Sequence, residues 1–195
     1  MNIEDKVYAN AIRVGFVDPI TKLPPKDERA ISALMCIYHQ QKKISWDKVN
    51  LLDIDCALTG RMASDIFEQS GSICTEYPLF WSNKEECDAY GDMRPDFVYL
   101  SNNLQMTAII ENKLGASDTH SGDQYGGQFG RYIQYLKQSP ALEKYIVLLT
   151  SRYFLSKTPP WYVKELADAE RIQASNKTIK ARIIQLDEIL EAFCE

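Results

Sequence analysis

The chain has 195 residues, enough for one well-cored domain, and 45% of them are apolar, as in an ordinary globular protein. Its net charge of −5 is unevenly placed: residues 1–100 carry 11 Lys and Arg against 16 Asp and Glu, and residues 101–195 carry 11 against 11. That balance excludes a basic nucleic-acid coat and a tight general duplex binder, but not an enzyme that holds nucleic acid locally through a metal and a few cations.

Residues 1–26 read as an irregular N-terminal arm. Its start, Met1-Asn2-Ile3-Glu4-Asp5-Lys6, is not a secretory signal, and Asp18-Pro19 and Pro24-Pro25 interrupt any helix. Asp27 is placed to cap a helix from Glu28 to about Gln41, in which Ile31, Leu34, Met35 and Tyr38 recur at helical spacing. Glu28 sits at the end of that apolar stripe, and a carboxylate aimed inward needs a partner. It is either an ion-paired or dipole-favoured first-turn acid, or a site carboxylate. His39, on the same helix, reads as structural. Ser45-Trp46-Asp47 looks like a helix start, and Asp47 to Gln69 reads as mostly helical with a break near Gly60. Ile73 to Tyr77, before Pro78, is a strand candidate; its Glu76 is either a solvent-face residue or a second candidate for an extra site acid. Lys84 to Asp92 reads as a polar loop.

Two runs rich in Val, Ile, Tyr and Thr follow, Arg94 to Leu100 and Gln105 to Lys113, separated by Ser101-Asn102-Asn103. This is a hairpin signal. Side chains alternate along a strand, so Glu111 and Lys113 share a face and Asn112 takes the other. In an antiparallel hairpin Asp96, opening the first strand, lies beside Glu111, closing the second. Two carboxylates and an amine thus converge at one end of a sheet. A hard divalent cation suits that set, because Mg²⁺ or Mn²⁺ prefers oxygen ligands and relieves the repulsion within a carboxylate pair.

Gly115 to Gly127 reads as a substrate-contacting loop, with His120 inside it. Phe129 to Gln138 is a helix whose core stripe is Phe129, Tyr132, Ile133 and Leu136. An overlapping stripe of Gln128, Arg131, Tyr132 and Tyr135 gathers hydrogen-bonding groups on one side. Lys144 to Thr150 is a near-continuous apolar run, as in a strand buried on both faces. Ser156 to Glu170 holds Pro159-Pro160 and then a helix, Ala181 to Leu186 is a last strand, and Asp187 caps a short helix to Phe193. The five cysteines, Cys36, Cys56, Cys74, Cys87 and Cys194, form no CxxC pair and suit reduced thiols in a cytoplasmic protein.

Pro95-Asp96 followed by Glu111-Asn112-Lys113 resembles the signature of the PD-(D/E)xK nuclease superfamily. Ile109-Ile110-Glu111-Asn112-Lys113-Leu114 with Gln128-Phe129-Gly130-Arg131-Tyr132 is similar to the IIENK…QLxRY pattern of one branch, found in bacterial and phage nuclease-like proteins of defence or unknown role. The resemblance spans roughly residues 27–150. It implies an α/β fold: a restriction-endonuclease-like αβββαβ core with a mixed central sheet flanked by helices, here carrying a C-terminal αβα extension over 151–195 at one edge of the sheet. Residues 1–195 then form a single nuclease-like domain; related chains often continue further, so the resemblance allows an excised domain of a longer chain, and a homo-oligomer is the other assembly it allows. The implied function is a metal-dependent nuclease that hydrolyses phosphodiester bonds in nucleic acid, DNA first, in bacterial or phage defence or DNA processing. Asp96, Glu111 and the backbone carbonyl of Asn112 would hold Mg²⁺ or Mn²⁺, with Glu28 as the extra acid of the first core helix. Lys113 would act either as a base or as an electrostatic clamp on the attacking hydroxide or the charged transition state, and Gln128, Arg131 and Tyr132 would contact the substrate. The alternative is a non-catalytic nucleic-acid- or protein-binding module on the same fold.

Overall fold

A seven-stranded mixed sheet, flanked by helices, organises the chain in the computed structural model, which describes residues 28–91, 93–113, 127–152, 155, 166–167 and 178–192. The N-terminal arm, the loop containing His120 and most of 151–178 lie outside the described residues. In chain order the elements are α1 (Glu28–Gln40), β1 (Asn50–Leu52), β2 (Leu58–Met62), β3 (Ser72–Thr75), α2 (Lys84–Tyr90), β4 (Phe97–Leu100), β5 (Met106–Lys113), α3 (Gly127–Lys137), β6 (Lys144–Thr150), β7 (Ile179–Gln185) and α4 (Leu186–Glu191).

The strand order is β2-β1-β7-β6-β5-β4-β3. The centre, β5-β6-β7, is parallel, and both wings are antiparallel. Central strands are covered on both sides, so they need apolar residues at successive positions. All seven residues of β6 are buried accordingly. One face of the sheet packs Phe97, Tyr99, Ile110, Val147 and Leu149 with Ile31 and Met35 of α1 and Ile189 and Leu190 of α4. The other packs Val98, Ile109, Ile146, Leu148 and Ile183 with Phe129, Tyr132, Ile133 and Leu136 of α3. Each such side chain contributes about 1.5–3 kcal/mol on burial.

Three expectations are corrected. The stretch from Asp47 to Gln69 is not mostly helical: it holds two short 3₁₀ turns, Trp46–Lys48 and Ala63–Asp65, around the β1–β2 hairpin. Leu51 and Leu52 go to opposite faces of the sheet, which a strand allows and a helical stripe does not. Lys84 to Asp92 is not a loop, since it contains α2. The Asn83 side chain accepts the Glu86 N–H at 2.9 Å, acids fill the first turn, and Gly91 ends the helix at φ +70°. The C-terminal segment does not extend one edge. β7 is inserted between β6 and β1, and the helix after it starts at Leu186, with Gln185 and not Asp187 at the cap position.

Candidate functional site

The β4–β5 hairpin places the first carboxylate pair. Phe97 is in register with Ile110, so the next positions, Asp96 and Glu111, stand opposite each other on neighbouring strands. Parity puts them on one face: Val98 and Ile109 belong to the α3 side, and Asp96, Glu111 and Lys113 share that parity. The Asp96 carboxylate accepts the Asn112 N–H at 2.7 Å, which ties the start of β4 to the end of β5. Asn112 itself is fully buried, in register with Leu149 of β6. The Thr150 hydroxyl, at the end of β6, donates to the Lys113 carbonyl at 2.6 Å and holds the last residue of β5 in place. A lone polar residue closing an apolar run was the only sequence trace of that contact.

Glu111 is the centre of the site. It is 4% exposed, and three donors surround its carboxylate. Lys113 Nζ lies 2.7 Å from Oε1, Gln128 Nε2 donates to the same oxygen at 2.8 Å, and the Tyr132 hydroxyl donates to Oε2 at 2.8 Å. Gln128 Nε2 also donates to the Tyr132 hydroxyl at 2.6 Å. Gln128 and Tyr132 are i and i+4 on α3, one turn apart on the same side of the helix. Burial, and then the Glu111 carboxylate beside it, push the Tyr132 phenol well above its ordinary range, with Asp96 a further contributor; the hydroxyl therefore stays a donor at neutral pH.

Arg131 is directed toward α2, and Glu76 follows the neighbouring strand β3. The Arg131 guanidinium reaches the Tyr90 carbonyl at 3.4 Å, toward α2, and is not among the donors on Glu111. Glu76 is exposed, at φ +50°, and its N–H donates to the Asp96 carbonyl at 3.1 Å, one strand further from Glu111. The Glu28 side chain lies outside the described residues, as does His120. His39 is a core histidine, as expected: it is buried, accepts the Trp46 indole N–H at 2.9 Å and lies 3.1 Å from the Gly71 carbonyl.

Among the described residues no group of three or more His, Cys, Asp or Glu side chains is gathered as a metal site. The chemistry of Asp96 and Glu111, opposite in register on one sheet face, nevertheless fits Mg²⁺, which is commonly held by one or two carboxylates with water and substrate phosphate completing its shell. No described helix is long and apolar enough to cross a membrane. Comparison with family models, with curated proteins and with solved structures finds no match to this chain in any of the three.

Proposed function

We propose that this chain is a Mg²⁺- or Mn²⁺-dependent phosphodiesterase of the PD-(D/E)xK type that acts on nucleic acid, with DNA as the first polymer to test. The observation that carries the reading is the set Asp96, Glu111 and Lys113 on one sheet face, with the Lys113 amine 2.7 Å from Glu111 at the carboxyl end of β5. The sequence of α1, the antiparallel β3-β4-β5, α3 and a parallel β6 supports a restriction-endonuclease-like core, with the β1–β2 hairpin and α2 as insertions.

In this reading Asp96, Glu111 and the Asn112 carbonyl hold the ion, and Glu28 is the further acid. When bound, the ion would supply Lewis acidity toward the scissile phosphate. Lys113 presents a positive charge where negative charge develops in the transition state, a role that raises kcat more than it tightens ground-state binding. Gln128 and Tyr132 keep the Glu111 carboxylate turned toward this end of the sheet.

The test is single-turnover cleavage of a labelled DNA and RNA oligonucleotide panel in Mg²⁺ and Mn²⁺, with EDTA as the control. Lys113→Ala is expected to slow cleavage by about 10²-fold or more, with little change in oligonucleotide affinity. Lys113→Arg is expected not to restore the rate fully, because the bulkier, planar guanidinium cannot place its charge where the compact amine does. Equal rates for wild type and Lys113→Ala would sink the assignment. Mn²⁺ binding without cleavage of any oligonucleotide would point to the non-catalytic module instead.

A further inference from the structure

We infer that Gln128 and Tyr132 are positioning residues that act through Glu111, aiming its carboxylate, and not residues that grip the nucleic acid. This rests on the metal-dependent reading of the site and assigns a division of labour within it.

Tyr132 cannot reach a polymer. Its side chain is 0% exposed, the ring packs in the α3-side core at an edge-to-face angle to Phe129, and its hydroxyl is used in both directions, donating to Glu111 and accepting from Gln128. Gln128 is half-buried, and its one amide nitrogen forks between the Glu111 carboxylate and the Tyr132 hydroxyl. An ionised carboxylate offers about four lone-pair sites. Lys113 and Gln128 take two of them on Oε1, and Tyr132 takes one on Oε2. Turning the carboxylate about its own bond would break all three contacts at once, so α3 fixes its orientation. Lys113 is the member of the trio that a bound cation would oppose by charge, whereas the neutral amide and phenol would meet no such repulsion and could stay on the carboxylate. They therefore have the properties of the outer partners that orient a metal-binding carboxylate, whose loss lowers metal affinity or activity by about 10–100-fold.

A residue that grips substrate, one that only satisfies a buried carboxylate and one that aims a metal ligand differ in what they move. The experiment uses the full chain as wild type, Tyr132→Phe and Gln128→Ala. Tyr132→Phe keeps the ring that fills the core, and Gln128→Ala changes a half-buried side chain, so the second variant remains informative if the first unfolds. Folding is checked by circular dichroism and the melting temperature. Mn²⁺ affinity is then measured by titration calorimetry on folded protein, and affinity for a labelled oligonucleotide by fluorescence anisotropy in EDTA.

The expected result is a Mn²⁺ Kd raised about tenfold or more in both variants, with oligonucleotide affinity in EDTA unchanged. Weaker oligonucleotide binding with an unchanged Mn²⁺ Kd would overturn the inference in favour of a substrate contact. A lower melting temperature with an unchanged Mn²⁺ Kd would overturn it in favour of a purely structural network. If wild type itself binds no Mn²⁺, the metal-site reading falls and this inference falls with it, a result distinct from both of the others.

Discussion

The Lys113–Glu111 pair gives a stability prediction that needs no substrate. The amine and the carboxylate are 2.7 Å apart, with side chains only 12% and 5% exposed. Removing one partner of a buried pair costs about 3–5 kcal/mol, because the other charge is left uncompensated. In Lys113→Ala, Gln128 and Tyr132 still donate to Glu111, so the loss belongs at the low end, about 3 kcal/mol. The double variant Glu111→Gln/Lys113→Ala removes both charges and is expected to recover part of that loss. On the proposed metal-dependent reading a cation beside Glu111 would supply the missing positive charge, so saturating Mg²⁺ should raise the stability of Lys113→Ala more than that of wild type; tenfold tighter binding corresponds to about 1.4 kcal/mol. The assay is urea unfolding followed by tryptophan fluorescence, in EDTA and in Mg²⁺. If Lys113→Ala unfolds within about 0.5 kcal/mol of wild type in EDTA, the pair is not the buried, coupled unit described, since that is the range of an ordinary surface change.

Other regions yield independent expectations. Burial holds the His39 pKa below its ordinary 6.5, so folded protein keeps it neutral while the unfolded chain takes up a proton. Stability is then complete above about pH 6.5 and falls as pH drops below it, by up to about 1.4 kcal/mol per pH unit, and urea midpoints between pH 7.5 and 5 should fall less steeply in His39→Gln. A Cβ on Gly71 collides with the Tyr99 hydroxyl and comes within 2.6 Å of the Leu100 carbonyl oxygen. Gly71→Ala should therefore cost about 3 kcal/mol by chemical denaturation. Gly60→Ala meets no atom within 4 Å but keeps φ at +72°, and should cost about 1–2 kcal/mol. Asn83→Ala removes the cap on α2 and should lower stability by about 1 kcal/mol, with local hydrogen exchange faster over Glu86 to Tyr90.

The parts legible in the sequence were those in which one period dominates. β4 and β5 are runs rich in Val, Ile, Tyr and Thr on either side of an Asn-containing turn, and β6 is apolar from Tyr145 to Leu149, so both could be placed from residue types alone. α1 and α3 each bury one stripe at helical spacing. The β1–β2 hairpin was lost because its strands are short and Trp46, Val49 and Leu52 happen to fall three apart, imitating a helix. β2 also buries no residue fully, which leaves no alternation to read. α2 has no buried residue either, so periodicity could not find it; its signal was local, in Asn83 and Glu86. The place of β7 in the sheet was beyond any local pattern, because nothing in Ile179 to Gln185 specifies that it joins β6 on one side and β1 on the other.

The candidate site sits where the sheet changes from antiparallel to parallel, and both kinds of pairing are needed to build it. Antiparallel pairing brings the start of β4 back to the end of β5, which is why Asp96 meets Glu111 across a separation of only fifteen residues. A parallel β6 requires a crossover, and that crossover begins near the same carboxyl end of β5. The first turns of α3 therefore lie over the α3 face of the sheet at the level of Glu111, which puts Gln128 and Tyr132 on its carboxylate. With the hairpin alone, Glu111 would face Asp96 with no support from a helix. With the crossover alone, it would be a buried, hydrogen-bonded glutamate with no second acid. The segment from Asp96 to Tyr132 thus contains every described contact to the Glu111 carboxylate, while β1, β2 and β7 widen the sheet and stabilise it from the far side of β6. Substitutions in those outer strands should act on stability alone, whereas substitutions at Glu111, Lys113, Gln128 and Tyr132 should also change the contacts of the Glu111 carboxylate.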